Sequence, residues 1–192
     1  RGTSPMFRFN VVAAVLVITL GMGWQKGLAT APEAHPIMGY GFGHAPSDRE
    51  LQGWDIDVRP TGAGLPAGQG TVSQGATVFA GKCASCHGAT GREGPMDRLV
   101  GGQGTLASRQ PVKTIGSYWP YATTLYDYIR RAMPFNAPQS LTNDEVYAVV
   151  AWLLYQNDII STEAVLDAET LSAVHMPNRN GFMPDPRPDV SR

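Results

Sequence analysis

The sequence has 192 residues, of which 43% are hydrophobic and 16% charged, and it contains 22 glycines and 15 prolines. This length suits about one globular domain with additional segments, and the glycine and proline content indicates long loops. Fifteen Lys and Arg residues against sixteen Asp and Glu residues give a net charge of −1, and the absence of a basic cluster argues against a nucleic-acid partner.

The N-terminal segment has the pattern of an export signal. Arg8 precedes an apolar run over residues 11–22, which is followed by the small-residue sequence Ala29-Thr30-Ala31. The run is short for a bilayer span, which takes about 20 apolar residues. We therefore predict a signal peptide over residues 1–31 and a periplasmic protein. A retained membrane anchor is the alternative.

Residues 32–70 are predicted to form an N-terminal arm laid over the core. They are rich in Gly, Pro and Ala and show little periodicity. The alternation in Trp54-Asp55-Ile56-Asp57-Val58 favours a short strand, with the apolar side chains at positions 54, 56 and 58 as its anchors.

The five residues Cys83-Ala84-Ser85-Cys86-His87 carry the clearest chemical signal. C-x-x-C-H is the attachment site of a c-type haem, in which two thiols form thioethers to the porphyrin and the histidine binds the iron. Zinc is disfavoured because the chain has no further cysteine and its other histidines lack metal-ligand spacing. A thioredoxin-like site would need a βαβ pattern, which is absent. We predict one covalent haem c on Cys83 and Cys86, with His87 as proximal ligand.

Helical periodicity appears on both sides of the motif. Apolar residues recur from Val72 to Ala80 and predict a helix that leads into it, whereas residues 88–104 are glycine-rich and predict a loop. A second helix is expected over residues 123–132, with Leu125, Tyr128 and Ile129 on one face.

The third helix has the strongest local signals. Thr142 and Glu145 form a capping box, and an apolar face continues to Gln156. A short helix is expected after Asp167, followed by an extended, proline-rich tail. We therefore predict a haem domain over residues 71–160 and a C-terminal extension over 161–192.

This order of helices resembles the class I cytochrome c plan. The resemblance implies an all-α fold with three main helices around one haem, between long irregular N- and C-terminal extensions. It also implies that the first and last helices dock, so that Phe79 or Ala76 contacts the face that carries Trp152.

Class I cytochromes complete the iron with a methionine thioether. Met133 follows the second helix and precedes the last one, where the class supplies this ligand. Met96 lies close behind His87, and His175 lies far along the chain. Met133 is preferred, and Met96, His175 or an open position are the alternatives.

The class also implies supporting residues around the haem. Pro95 suits the role in which a proline carbonyl accepts the Nδ1–H of the proximal histidine, which fixes the ring and increases its basicity. Trp119, Tyr121 and Arg130 are candidate donors to the haem propionates.

A more specific resemblance rests on three segments: Gly53-Trp54-Asp55-Ile56-Asp57-Val58-Arg59-Pro60, Lys113-Thr114-Ile115-Gly116-Ser117-Tyr118-Trp119-Pro120-Tyr121 and Asp127-Tyr128-Ile129-Arg130-Arg131-Ala132-Met133-Pro134-Phe135. They are similar to the cytochrome subunit of Sox sulfane dehydrogenase, the SoxD type, and the likeness covers about residues 38–188. In that family a molybdenum-cofactor subunit oxidises a sulfur species, and the haem protein passes the electrons to a soluble cytochrome. The arm is then a candidate contact for the molybdenum subunit. The better-known members carry two haem domains, whereas this chain has one.

The resemblance implies an electron-transfer subunit that has no catalytic site of its own. Two other functions remain open from the sequence. One is a free electron-shuttle cytochrome for a terminal oxidase, and the other is a haem enzyme with an exchangeable sixth ligand.

Overall fold

The structure is a computed structural model that describes residues 42–187. The predicted signal peptide and the beginning of the arm lie outside the described residues. All described helices and strands belong to one compact unit, Pro46–Arg192. None of the helices in this stretch has the length and apolarity that a membrane span requires. The elements in chain order are α1 Asp48–Trp54, β1 Gly70–Thr71, α2 Val72–Lys82, α3 Ala84–His87, α4 Ala122–Ala132, α5 Asn143–Gln156, β2 Val165–Leu166 and α6 Ala168–Ser172.

Helix α5 forms the centre of the core. Every residue from Val146 to Leu154 is buried, because other parts of the chain cover the helix on several sides. Helix α2 packs against it, and the rings of Phe79 and Trp152 stack with their centroids 4.0 Å apart. The predicted contact between these two helices is therefore confirmed.

Helix α4 begins one residue earlier than predicted and turns a different face to the core. Leu125 and Ile129 are buried as expected, but Tyr128 is 46% exposed and Tyr126 is fully buried. The helix points Tyr126 at α5, where its ring lies 4.5 Å from that of Tyr147. Tyr128 instead packs its edge against Trp119.

The last two helices begin where predicted, and the predicted capping box of α5 is present. Thr142 and Glu145 form the capping box of α5, and Asp167 caps α6 through the backbone N–H groups of Glu169 and Thr170. Two-residue strands β1 and β2 pair antiparallel and join the end of the arm to the segment after α5.

The arm differs from the prediction. Trp54 ends the helix α1, which has no buried residue, and its side chain is 87% exposed, so it does not anchor the arm. Residues 55–59 have no regular secondary structure and belong to no sheet. Ile56 is half-buried and Val58 is buried, so the alternation in the sequence reflects a segment with one face against the body rather than a strand.

Candidate haem site

The cysteine motif occupies a single turn of chain at the end of α2. The Cys83 N–H donates to the Phe79 carbonyl at 2.9 Å, so Cys83 ends α2 and also begins α3. The N–H groups of Cys86 and His87 both donate to the Cys83 carbonyl, at 3.1 and 3.0 Å. Gly88 then ends the turn in the left-handed region, at φ +79°. Local backbone bonds therefore fix all three functional residues relative to one another.

The two thiols are free and differ in exposure. Cys83 is half-buried against the core, whereas Cys86 is exposed. Burial raises the pKa of Cys83 to about 11, although the neighbouring Lys82 charge opposes part of this effect. Both side chains are thus available for covalent attachment rather than paired in a disulfide.

His87 presents its Nε2 nitrogen as a metal ligand. Its Nδ1 lies 2.9 Å from the carbonyl oxygen of Asp97, and because a carbonyl can only accept, the proton is on Nδ1. In the neutral ring Nε2 is then the nitrogen that can bind a metal, and the bond from Nδ1 fixes the ring orientation.

The acceptor for this bond is Asp97 and not Pro95, which corrects the sequence prediction. The chain turns back at Gly94, where an added Cβ would lie 2.1 Å from the Cys86 carbonyl oxygen. The Met96 N–H then donates to that same carbonyl at 3.0 Å. This turn leaves Pro95 exposed and brings the carbonyl of Asp97, two residues further on, to the imidazole.

The described methionines occupy different environments. Met176 is fully buried in the core, and Met183 is 90% exposed in the tail. Met96 is 59% exposed, and its backbone is bonded to the cysteine motif itself. Met133 is half-buried at the end of α4 and packs against the same core as Cys83 and Trp119. The alternative ligand His175 is exposed.

The other predicted site residues have partners of their own. Trp119 is half-buried beside Tyr128, and Tyr121 lies under the guanidinium of Arg179, 4.4 Å from the ring centroid. Arg130 donates to the Ile56 carbonyl at 3.1 Å and so contacts the arm. A propionate role for these three side chains stays a prediction.

Asn157 supports the site and was missed by the sequence analysis. This buried side chain accepts from the Gly101 N–H at 3.0 Å and donates to the Leu99 carbonyl at 3.3 Å. It therefore ties the loop that follows the cysteine motif to the end of α5. Its position at the C-terminus of a strongly predicted helix was the available signal.

Comparison with known proteins identifies the family. A sequence model of the cytochrome c family matches residues 72–157. A chain in the crystal structure of the sulfane dehydrogenase SoxCD from Paracoccus pantotrophus is 45% identical, with a TM-score of 0.73 over 77% of this chain and 73% of that chain. The chain belongs to the cytochrome c family. No curated protein matches this cytochrome.

Cytochrome c family membership implies covalently bound haem c, and the residues present fit it. Cys83 and Cys86 are free thiols on one turn, and His87 has its Nε2 available beside them. These three residues would hold the cofactor, which supplies one-electron chemistry when bound.

The SoxCD likeness extends beyond the family domain. It covers 77% of the chain, which is more than the family model's residues 72–157. Segments outside the haem domain therefore share their structure with a chain of that enzyme.

Proposed function

We propose that this cytochrome is an exported electron-transfer subunit that accepts electrons from a molybdenum-containing dehydrogenase of sulfur compounds. It passes them to a soluble acceptor cytochrome. The observation that carries the proposal is the 45% identity to a SoxCD sulfane dehydrogenase chain over most of the length. A free shuttle needs only the haem domain, whereas the likeness here includes additional segments.

His87 and Met133 are the proposed iron ligands. Met133 has the partial burial that a distal ligand needs, whereas Met176 is committed to the core and Met183 is almost fully exposed. Met96 is disfavoured because its backbone is bonded to Cys86, on the chain that supports His87. A thioether is a soft, neutral ligand that favours ferrous iron and raises the reduction potential. Closed ligation leaves no iron position for a substrate.

Helix α1 is the proposed contact for the molybdenum subunit. Its own capping box, Ser47 with Glu50, holds it together without any buried residue. Leu51 and Trp54 lie three residues apart, on one face, and are 48% and 87% exposed. Exposed tryptophans are frequent anchors of protein interfaces, and this helix has no packing role within the described chain that would explain one.

The experiment is purification of the tagged holoprotein from the organism that encodes it, followed by elemental analysis for molybdenum and addition of sulfite or thiosulfate. We expect molybdenum to accompany the haem and the sulfur compound to reduce it. Trp54→Ala is expected to lose the molybdenum, and Val165→Ala, a variant at a 43% exposed apolar site in β2, is expected to keep it. Haem that is free of molybdenum and stays oxidised would favour the free shuttle instead.

Export is proposed from the N-terminal signal pattern alone. N-terminal sequencing of the mature protein is expected to begin at Pro32, in a periplasmic fraction. A membrane-bound protein that keeps residues 11–22 would support the anchored alternative.

A further inference from the structure

Three polar side chains form a stripe along α4. Thr123, Asp127 and Arg130 are spaced four and three residues apart, which places them on one face of the helix. Thr123 is 2% exposed and Asp127 is 8% exposed, so the stripe is covered rather than solvated. Buried polar groups of this kind need partners, and the arm supplies them.

The stripe binds every second residue from Ile56 to Pro60 of the arm, and we term residues 55–60 the strap. Each bond joins one side chain of α4 to one backbone group of the strap. The three bonds are Thr123 Oγ1 to the Pro60 carbonyl (3.2 Å), the Val58 N–H to Asp127 Oδ1 (2.8 Å) and Arg130 Nη1 to the Ile56 carbonyl (3.1 Å).

Helix and strap geometry match along this contact. Three to four residues of helix advance about 5 Å, and two residues of non-helical chain can span at most about 7 Å, so bonds at every second strap residue can follow the helix over three bonds. The strap runs antiparallel to α4, because Pro60 lies at the first of the three helix positions and Ile56 at the last. The strap's C-terminal bond is therefore at the beginning of α4 and its N-terminal bond is near the end.

The end of α4 sets the position of Met133. The Met133 N–H donates to the Ile129 carbonyl at 3.0 Å, which is the last bond of the helix. Beyond it, residues 135–140 are exposed, and within this described loop one backbone hydrogen bond forms, from the Ala137 N–H to the Pro134 carbonyl. The chain after Met133 thus restrains it weakly, and the helix before it does most of the positioning.

We propose that the strap is a structural part of the haem site, in which Asp127 and Arg130 act as positioning residues that hold the end of α4 and, through it, the Met133 thioether. The inference rests on the proposed ligation by His87 and Met133. Its physical content is that loss of a strap bond lets the helix end shift, so that an added ligand displaces the thioether more easily.

The test is titration of the ferric holoprotein with imidazole. Binding is monitored by the loss of the far-red absorption band of thioether-ligated ferric haem. Asp127→Leu and Arg130→Met each remove one strap bond. Asp127→Asn keeps an acceptor oxygen for the Val58 N–H, and Arg131→Met removes an arginine that pairs with Asp127 but makes no bond to the strap. Val150→Ala, a core variant in α5, is the control for general loss of stability.

We expect Asp127→Leu and Arg130→Met to bind imidazole about tenfold more tightly than the wild type, the effect of losing one charge-assisted hydrogen bond. Asp127→Asn and Arg131→Met are expected to stay within about twofold, because both keep an acceptor oxygen at position 127 for the Val58 N–H. Val150→Ala is expected to melt at a lower temperature and keep the wild-type imidazole affinity.

Two outcomes overturn the inference, and they are distinguishable. If the strap variants melt earlier but bind imidazole as Val150→Ala does, the strap only stabilises the fold, and the ligand assignment stands. If Met133→Leu keeps the wild-type far-red band, Met133 is not the ligand, and both the assignment and the role of the strap are wrong.

Discussion

Two neighbouring tyrosines in the core differ in one hydrogen bond. The rings of Tyr126 and Tyr147 lie 4.5 Å apart between α4 and α5. The Tyr147 hydroxyl donates to the Pro66 carbonyl at 2.8 Å, whereas the buried Tyr126 hydroxyl has no hydrogen-bond partner among residues 42–187. Burial raises the pKa of Tyr147 to about 12, so this donor stays protonated well beyond neutral pH.

Removing the two hydroxyls should therefore have opposite effects on stability. We expect Tyr126→Phe to raise the free energy of unfolding by about 1 kcal/mol, because it removes an unsatisfied buried group. Tyr147→Phe should lower it by about 1 kcal/mol, because it leaves the Pro66 carbonyl unpaired. Guanidinium denaturation of the ferric holoproteins measures both. Two changes of the same sign would contradict this account of the pair.

The residues of the haem motif were predictable, and their immediate support was only partly so. Cys83, Cys86 and His87 have the residue types and the spacing that predict covalent haem attachment. The bond from His87 to Asp97 uses a backbone carbonyl, so the residue type carries no signal, and the tight turn at Gly94 decides which carbonyl arrives. Pro95 was therefore two residues from the correct position.

At the scale of elements, the close approach of α2 to α5 depends on one glycine. An added Cβ at Gly75 would lie 1.9 Å from the Ala148 carbonyl oxygen and 2.7 Å from the Trp152 Cβ. Gly81, in the same helix, has nothing within 4 Å of that position. Substitutions at Gly81 therefore report on helix propensity alone, whereas substitutions at Gly75 also report on the packing of α2 against α5.

Alanine at these two glycines is expected to change stability in opposite directions. Gly75→Ala should cost about 1–3 kcal/mol, because the backbone of α5 has to move away. Gly81→Ala should gain up to about 1 kcal/mol, since alanine favours a helix more than glycine does. Chemical denaturation followed by circular dichroism measures each, and a stabilised Gly75→Ala would show that the helices do not pack as described.

An ion pair also joins the end of α2 to the beginning of α5. Lys82 Nζ lies 2.8 Å from Glu145 Oε1, and this bond, followed by the bond from the Thr142 backbone, holds the pKa of Glu145 below its usual range. Because the folded-state pKa is lowered, the stability from this carboxylate is present above the ordinary glutamate pKa. It is lost as the pH falls through the lowered pKa.

Glu145→Gln should test this dependence, because glutamine keeps the capping box without the charge. At neutral pH we expect it to cost about 0.5 kcal/mol, a small value because the two side chains are 39% and 29% exposed and solvent screens the pair. Urea denaturation over a pH series should show that the difference in the free energy of unfolding between Glu145→Gln and the wild type disappears at acid pH. Lys82→Met is expected to lower the free energy of unfolding by a similar amount over the same pH range. A loss of stability that does not depend on pH would exclude the charge as its cause.

Local capping signals predicted some elements, and long-range contacts decided the others. Thr142 and Asp167 placed the starts of α5 and α6 correctly. The capping box of Ser47 and Glu50 was present in the sequence but was overlooked, and so α1 was missed. Strands β1 and β2 have two residues each and pair Gly70 with Leu166. The strands are too short to show a periodic pattern, and they lie too far apart in the sequence for their pairing to be predicted.

At the scale of the whole molecule, the haem domain and the arm share one polar network. The strap bonds α4, and the residues that follow it bond α5 through Asn143 and Asp144, to the Ala67 carbonyl and the Gln69 N–H. Composition predicted an arm over the core, but the helix positions that receive it depend on pairings between residues some seventy positions apart, which a single sequence does not reveal. The same strap joins the proposed partner helix α1 to the end of α4 that precedes Met133, because Arg130 donates to the Ile56 carbonyl, two residues after α1 ends.

The most direct test of the account is the far-red absorption band of the purified ferric protein, compared between the wild type, Met133→Leu and Met96→Leu. The account predicts a band in the wild type and in Met96→Leu, and its loss in Met133→Leu, because only Met133 supplies the thioether. A band that is absent from the wild type, survives Met133→Leu or disappears in Met96→Leu would contradict closed ligation by His87 and Met133. A haem enzyme with an exchangeable ligand would then be the better description.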